Sequence, residues 1–440
     1  MIFGDIKQFF SFLKPSNIKK WFKVEYLFLN YFWYYTVCAV LALFFQWMFP
    51  YNLGFPLILY ALLYNNARRY KISLNGFDLL ILINIIWICI TWLINDYPHK
   101  PYLTVRAIMG EMAFMMAYWI ARYSDKDYLS IIIEYARKPL VITCIIGVYC
   151  FIFEPAWYLK IIDSAVTSQG IYNYTKENVI DQFKLRSIFS GGYVLGYLCA
   201  FAIVYELFLV FTKKKKQISH FYYHLLFIFL LVITSILAMM RAPLACTIMG
   251  LGIVYGYSVL YADKFRATVI LTGIMVLVGG ALLFILQNVD ISDVEVLISK
   301  VNQIGDQGND FVKERLFLQE SGSSLFGGGY GRFNAIAYYK FEMPTIPDGE
   351  YMKIISEQGY IGLVLMVTPI VLGVIKALFH FKHLGFELFV LLMLLVCMIG
   401  ADPLSTSDKH CFLYWLALGQ ISRFNVRLTK RVKIKTYKNE

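Results

Sequence analysis

Charge is scarce in this sequence of 440 residues: Asp, Glu, Lys and Arg make up 16% of it, whereas hydrophobic residues make up 59%. So few polar side chains cannot cover the surface of a soluble protein of this length. The composition therefore excludes a water-soluble enzyme and indicates an integral membrane protein.

Two further absences concern the longest polar segments, residues 154–190 and 287–356. Neither contains a cysteine, so neither a disulfide framework nor a zinc site is expected. Neither contains a histidine, which excludes a histidine base there. We predict no metal ion and no cofactor.

Long apolar runs are what the sequence has in abundance. A helix needs about 20 mainly apolar residues to cross a membrane, and helices satisfy backbone polar groups where no water is present. We therefore predict an all-α polytopic membrane protein with about twelve transmembrane helices. The predicted spans are 27–49, 51–66, 76–94, 105–122, 138–153, 189–211, 221–239, 243–261, 267–286, 357–376, 385–400 and 410–422.

The Lys and Arg residues next to these spans predict the topology. Most of them fall on one side when both termini are cytoplasmic, as the positive-inside rule requires. The net charge of +12 thus reflects topology and anionic lipids, and no nucleic-acid partner is expected. The predicted order is a cytoplasmic interfacial arm without a signal peptide (1–26), helices 1–5 (27–153), a long periplasmic loop (154–190), helices 6–9 (191–286), a second long loop (287–356), helices 10–12 (357–422) and a basic cytoplasmic tail (423–440).

The second long loop has apolar periodicity and is predicted to form a small helical subdomain on the outer face. Near its end, "DGEYMKIISEQG" can form a helix that dips towards the membrane. Gly359 suits the C-terminal cap of that helix before the next span begins.

Three arginines share the predicted outer interface: Arg186, Arg241 and Arg315. An arginine at depth raises the free energy of insertion by about 2.5 to 3.5 kcal/mol, so it is normally kept for a partner. Guanidinium groups bind phosphate in a bidentate manner, and several of them would suit a pyrophosphate. The alternative is that each arginine pairs with lipid head groups.

The Gly-rich "FGGGYGRF" is not a nucleotide-binding loop, because it lacks a Gly-Lys-Ser/Thr ending and a preceding strand. Its glycines allow tight turns and the close approach of a ligand or a helix, and tyrosine rings can stack on sugars. A flexible turn without a ligand and ordinary interfacial aromatic residues are the alternatives. The candidate substrate-binding residues here are Gly328, Gly329, Tyr330, Arg332 and Tyr351.

"PDGEY" places Asp348 and Glu350 two residues apart near the predicted membrane surface. A carboxylate beside apolar surface has a raised pKa and could act as a general base for a sugar hydroxyl. Alternatively, Asp348 is an N-cap and Glu350 interacts with the helix dipole. Structural roles are expected for the acidic residues within or beside spans, with Glu111 pairing with Arg106: Asp78, Glu111, Glu206 and Glu387.

Together, these segments resemble a known family. "ERLFLQESGSSLFGGGYGRFNAIAYYKF" followed by "PDGEYMKIISEQGYIGL" resembles the signature region of the O-antigen polymerase and O-antigen ligase superfamily of bacterial envelope glycan enzymes. "LRSIFSGGYVLGYLCA" and "SILAMMRAPLA" are similar to two arginine regions of that superfamily, although methionine replaces the serine before Arg241. The resemblance covers roughly residues 183 to 365.

The resemblance implies a metal-independent glycosyltransferase of the bacterial inner membrane with its active site facing the periplasm. Its substrate would be an oligosaccharide linked to undecaprenyl pyrophosphate, and a chain-length regulator would be a possible partner. Arg186, Arg241 and Arg315 would bind the pyrophosphate or the acceptor glycan. Ligases of this superfamily carry a histidine where this chain has Asp348 or its neighbours, so a repeat-unit polymerase is favoured over a ligase.

A lipid-linked glycan flippase or a secondary transporter is the alternative from another class. Such proteins usually place charges and broken helices near the membrane midplane, often in two related halves. In this sequence the polar residues collect at the predicted outer face. The polymerase is therefore the preferred hypothesis.

Overall fold

A computed structural model describes most of the predicted helices. Arg186, Arg315 and Asp348 lie outside the described residues, as does nearly all of the predicted span 267–286. The described residues are 23–45, 49–70, 73–153, 155–158, 185, 187, 192–212, 221–238, 240–261, 268–269, 272–273, 325–333, 341, 349–401, 403–404 and 410–426.

The described elements are all helical. They are α1 Val24–Leu29, α2 Tyr31–Phe45, α3 Phe49–Arg69, α4 Gly76–Ile94, α5 Lys100–Ala107, a π-helical turn Ile108–Met112, α6 Ala113–Arg122, α7 Tyr128–Phe153, α8 Gly192–Thr212, α9 Phe221–Leu237, α10 Arg241–Tyr261, α11 Glu350–Phe379, α12 Phe381–Gly400 and α13 Phe412–Arg423.

Six helices among the described residues are long and apolar enough to cross a membrane, which agrees with an all-α polytopic membrane protein. The segments Tyr31–Leu41 and Phe221–Leu237 are apolar but shorter. The count of twelve and the direction of each span stay predictions. The six long spans are Gly76–Ile94, Tyr128–Phe153, Tyr193–Phe211, Ala242–Tyr261, Glu350–Phe379 and Phe381–Ile399.

The core is centred on α8, which packs against α7, α9, α10 and α12. Its most apolar window is 94% buried within the protein, against 28% for that of α4. A helix that is apolar on all sides can be enclosed by others, whereas the exposed apolar face of α4 suits contact with lipid. The two helices therefore have different surroundings despite similar composition.

Some helices extend beyond the apolar run that predicted them. The predicted span 138–153 begins at Tyr128 in the structure, so that α7 includes Glu134 and Arg137. Arg137 forms an ion pair with Glu206 of α8, and His224 Nδ1 lies 2.6 Å from the same carboxylate. Ionic contacts thus stabilise the first part of α7, which is too polar to have been predicted from hydrophobicity.

Polar contacts define two ends of the helix assembly. At one end, the start of α4 meets the ends of α6 and α13: Tyr118 donates a hydrogen bond to Asp78 and contacts Ser422. We call this the Asp78 end. At the other, Trp87 of α4 donates to the Gln358 carbonyl near the start of α11. We call this the Glu350 end, which the topology prediction places outside.

Candidate functional site

The Gly-rich turn, residues 325–333, folds against the beginning of α11 at the Glu350 end. Gly327, Gly329 and Gly331 have φ angles of 73°, 107° and 84°, which residues with a Cβ rarely adopt. The backbone N–H groups of Gly328 and Gly329 donate to the carbonyls of Ser356 and Glu357 at 2.6 and 3.0 Å. The turn thus satisfies carbonyls that the helix end would leave without partners.

Gly359 interrupts α11 with φ 72° and ψ −177°, so a short helix of residues 350–358 precedes the long apolar one. A Cβ at this position would lie 2.0 Å from the Leu325 carbonyl oxygen. This confirms the predicted short helix and the predicted need for glycine at its end. The alternative in which Asp348 is the N-cap was wrong: Gly349 occupies that position, because the helix begins at Glu350.

A buried ionic cluster lies below the turn. The Lys353 ammonium is 2.6 Å from Glu111 Oε1 and 3.8 Å from Glu350 Oε1. The side chain of Lys353 is 2% exposed. The pair with Glu111 connects α11 to the π-helical turn. Removing one partner of such a buried pair is strongly destabilising, so the contact helps to hold the two elements together.

The expected pairing of Glu111 with Arg106 was wrong. Glu111 pairs with Lys353, whereas Arg106 donates to the hydroxyl of Tyr102 at 3.5 Å. Five residues of helix separate two side chains by about 140°, which puts them on different faces. Glu111 itself lies in the π-helical turn, a feature that often occurs at functional sites.

Glu350 is engaged on both its backbone and its side chain. Its N–H donates to the Ala401 carbonyl at 3.0 Å, and its Oε2 accepts from the Leu404 N–H at 3.1 Å. The side chain is 4% exposed. These contacts hold the start of α11 against the segment between α12 and α13.

Glu357 has different partners. It is 1% exposed, and its Oε1 accepts a hydrogen bond from the Phe333 N–H at 3.0 Å. Within the described part of the chain, no cationic group forms an ion pair with it. Glu357 is therefore a buried carboxyl group held by backbone donors of the Gly-rich turn.

A cavity of about 20 Å³ joins these groups, lined by Glu111, Tyr330, Glu350, Glu357 and Gln358 together with apolar side chains. This volume suits about one water molecule. Gln358 is 2% exposed, and its Oε1 has no hydrogen-bond partner among the residues that the structure describes. The cavity can hold a water molecule or pass a proton, but in this conformation it cannot enclose a sugar.

The predicted substrate-binding residues do not form one exposed surface. Tyr330 is 3% exposed, and burial together with the nearby carboxylates of Glu111 and Glu357 raises its pKa well above the usual value. Its carbonyl accepts from the Tyr97 hydroxyl at 2.6 Å. Tyr330 thus lines the cavity from within the turn.

The remaining candidates of this group lie around the turn. Gly328 and Gly329 are buried in it, while Arg332 is half-buried, with its guanidinium 5.2 Å from the Phe333 ring centre. Tyr351 is half-buried and donates to the Leu395 carbonyl at 3.1 Å. Arg332 is thus the cation of the turn, and its side chain is partly exposed to solvent.

The segment around the first predicted arginine is described at its flanks. Leu185 N–H donates to the Leu237 carbonyl at the end of α9, and Ser187 Oγ donates to the Thr143 carbonyl of α7. Arg241 is the first residue of α10, a few residues after Leu237. The end of the first long loop therefore contacts the end of α9, a few residues before Arg241; that both lie on the outer face stays a prediction.

Sequence reasoning missed Lys353 and Glu357. The signal was present: Glu350, Lys353 and Glu357 are spaced by three and four residues, which aligns them on one helix face. A charged face on a helix next to the membrane points to a polar partner inside the protein. Among the described residues, no group of three or more His, Cys, Asp or Glu side chains could hold a metal ion.

Comparison with known proteins leaves the family assignment a hypothesis. No protein-family model matches the chain, and no curated protein matches it. The arguments for function therefore come from the residues and their geometry.

Proposed function

We propose that the chain is an oligosaccharide repeat-unit polymerase of O-antigen or a related surface polysaccharide. One observation carries the proposal: the two halves of the signature region, the Gly-rich turn and the helix 350–358, pack on each other over a buried charged cavity. The resemblance pairs these segments in sequence. Their contact is what a shared site would require.

The proposed reaction takes place at the periplasmic face of the bacterial inner membrane. The growing glycan leaves undecaprenyl pyrophosphate and is transferred to a hydroxyl of the next lipid-linked repeat unit, with inversion at the anomeric carbon and without a metal ion. Arg186, Arg241 and Arg315 would stabilise the negative charge on the leaving pyrophosphate. Electrostatic stabilisation of this kind is usually the largest single contribution to catalysis.

The position of the cavity supports this reaction over transport. Ile88 of α4 lines it and lies six residues before the end of that helix, which is about 9 Å along the helix axis. The midplane of a membrane lies about 15 Å from either surface of its hydrocarbon core. A site closer to one surface suits a lipid-linked substrate that approaches from that side.

The test is the ladder of surface glycan in cells deleted for this gene and expressing the wild type, Arg315→Ala or Arg241→Ala at matched membrane levels. We expect the wild type to restore the ladder. Each variant should leave mostly single repeat units, because losing one arginine is expected to lower the rate on the order of 10² to 10³-fold.

Arg106→Ala is the matched control, since Arg106 contacts a tyrosine hydroxyl and lies outside the proposed site. It should retain the full ladder. If the wild type yields undecorated lipid core with no single-unit product, ligation or export is the failing step, and the polymerase proposal is wrong.

A further inference from the structure

Among the described residues, more carboxyl groups than cations line the cavity at the Glu350 end. Three carboxyl groups, those of Glu111, Glu350 and Glu357, line it, and the Lys353 ammonium contacts two of them. Burying several carboxylates with one cation is unfavourable unless a proton or another positive charge joins them. The arrangement therefore favours uptake of a positive charge.

The three carboxyl groups differ in how well they are compensated. Glu111 and Glu350 both lie within 4 Å of the Lys353 ammonium, and Glu350 also accepts from the Leu404 N–H. Glu357 accepts from the Phe333 N–H, but within the described part of the chain it forms no ion pair, and the Lys353 ammonium acts on it only from a longer distance. A proton entering the cavity is therefore most favourably placed on Glu357.

A second observation indicates an occupant of the cavity. Its volume of about 20 Å³ suits one water molecule, and Gln358, which lines it, has an Oε1 atom without a hydrogen-bond partner in the described part of the chain. Such a water would have several polar groups to bond. It would also connect Glu111, whose side chain is 13% exposed, with the enclosed Glu357.

The other titratable and charged groups facing this region belong to the turn and its neighbours. Tyr330 lines the cavity, and the Tyr97 hydroxyl donates to the Tyr330 carbonyl. Arg332 lies over the Phe333 ring and donates to the Gly328 carbonyl at 3.5 Å. Among the described residues, none of these groups forms an ion pair with Glu357.

We propose that Glu357 is an internal proton acceptor, which receives a proton from the Glu350 end by way of Glu111 and one water molecule in the cavity. On the proposed function, which this inference extends, the proton comes from the acceptor hydroxyl of the incoming repeat unit. The hydroxyl oxygen forms the new bond to the anomeric carbon as the bond to pyrophosphate breaks. The pyrophosphate leaves with the electron pair, the hydroxyl proton comes to rest on Glu357, and it later returns to water by the same route.

Glu357→Gln separates proton transfer from structure. Glutamine keeps an Oε1 acceptor for the Phe333 N–H, so the turn can stay in place, but it cannot take up a proton. Glu357→Asp keeps the carboxyl group and serves as a second variant if the glutamine protein is unstable. Glu25→Gln is the matched control, because Glu25 pairs with Lys126 far along the chain from the turn.

The direct measurement is an infrared difference spectrum of the purified full-length protein during pH titration. The carbonyl stretch of protonated, buried carboxyl groups should appear in the wild type and in Glu25→Gln, and Glu357→Gln should lose the part due to Glu357 while any contribution from the buried Glu387 stays. Thermal unfolding of each protein checks that it is folded. If a folded Glu357→Gln protein keeps the full band, Glu357 is not the proton acceptor.

The second measurement is the glycan ladder and its dependence on the pH of the medium, which reaches a periplasmic site. Glu357→Gln should reduce polymerisation by about 10² to 10⁴-fold, as for loss of a general base, and Glu357→Asp should shift its pH dependence. A full ladder from Glu357→Gln overturns this inference while leaving the polymerase proposal intact. If the wild type itself forms no ladder, the polymerase proposal fails and the infrared result alone decides the proton site.

Discussion

Two networks of buried polar side chains, at opposite ends of the helix assembly, differ in how completely their carboxyl groups are paired with cations and hydrogen-bond donors. At the Asp78 end, one carboxylate faces one guanidinium, with Asp78 Oδ2 3.6 Å from Arg122 Nε. Tyr118 donates to Asp78 Oδ1, and the Asn75 N–H donates to Asp78 Oδ2, both at 2.9 Å. Each carboxylate oxygen thus has a protein donor.

At the Glu350 end, the described residues bring three carboxyl groups to a cavity large enough for a water molecule, and the Lys353 ammonium forms ion pairs with two of them. A buried carboxylate whose two oxygens both accept hydrogen bonds, and which has a cation beside it, helps to rigidify a fold. A buried carboxyl group that lacks an ion pair can still take up a proton or bind a ligand. Titratable groups in such surroundings cluster at functional sites. The comparison assigns a structural role to the Asp78 network and makes the Glu357 cavity the candidate for chemistry.

The largest effect on stability is expected from Asp78→Ala. It leaves Arg122, which is 1% exposed, without its carboxylate and removes the Asn75 capping contact. The expected loss in free energy of unfolding is about 3 to 5 kcal/mol. Thermal unfolding of the solubilised protein measures it.

Replacing both partners provides the control for that experiment. Asp78→Ala combined with Arg122→Leu removes the stranded charge, so it should recover much of the lost stability. If the Asp78→Ala protein unfolds at the wild-type temperature, the structural role assigned to the Asp78 network is wrong.

An intermediate effect is expected from Gly359→Ala at the Glu350 end. The backbone conformation at this position is accessible essentially to glycine alone, and the strain is about 1 to 3 kcal/mol before the contact with the Leu325 carbonyl is counted. Hydrogen–deuterium exchange of residues 325–333 should rise, because the turn can no longer dock on α11.

Gly252→Ala is the matched substitution within α10, where a Cβ would meet no atom within 4 Å. It should be neutral or stabilising by up to about 1 kcal/mol, since alanine restricts the unfolded chain. Equal behaviour of the two alanine variants would show that the turn does not depend on Gly359.

The smallest effects are expected from removing one tyrosine hydroxyl at each end. Tyr118→Phe removes a donor to the charged Asp78, and a loss of about 1.5 to 3 kcal/mol follows. Tyr97→Phe removes a donor to the neutral Tyr330 carbonyl, with an expected loss of about 0.5 to 1.5 kcal/mol.

Hydrogen–deuterium exchange distinguishes the two ends further. Tyr97→Phe should increase exchange in residues 327–333, whereas Tyr118→Phe should leave that turn unchanged. If both variants increase exchange in the Gly-rich turn to the same degree, the two polar networks are not independent of each other.

Much of the helical framework was accessible from hydrophobicity. The predicted span 76–94 coincides with α4, since its apolar run ends at polar residues on both sides. α7 begins ten residues before its predicted span, because contacts such as Arg137 with Glu206 prolong a helix beyond its apolar part. Hydrophobicity reports which residues are removed from water, whether by lipid or by other helices, and tertiary contacts decide where a helix ends.

Parts of the site were equally accessible. The short helix ending at Gly359 followed from local pattern, because only glycine suits a positive φ beside a close backbone contact. The pairing of Glu111 with Lys353 did not, since 242 residues separate them and Arg106 offered a nearer cation. Side-chain partners that are distant in sequence depend on how helices pack.

By itself the sequence determined that this protein is helical and embedded in a membrane, because its scarce charges and long apolar runs permit no other solution. It also determined where the backbone needs glycine. Only the tertiary structure decided which charged groups meet: it paired Asp78 with Arg122, whereas among the described residues Glu357 forms no ion pair. Local chemistry specifies secondary structure, whereas the balance of charge in a buried site depends on which helices surround it.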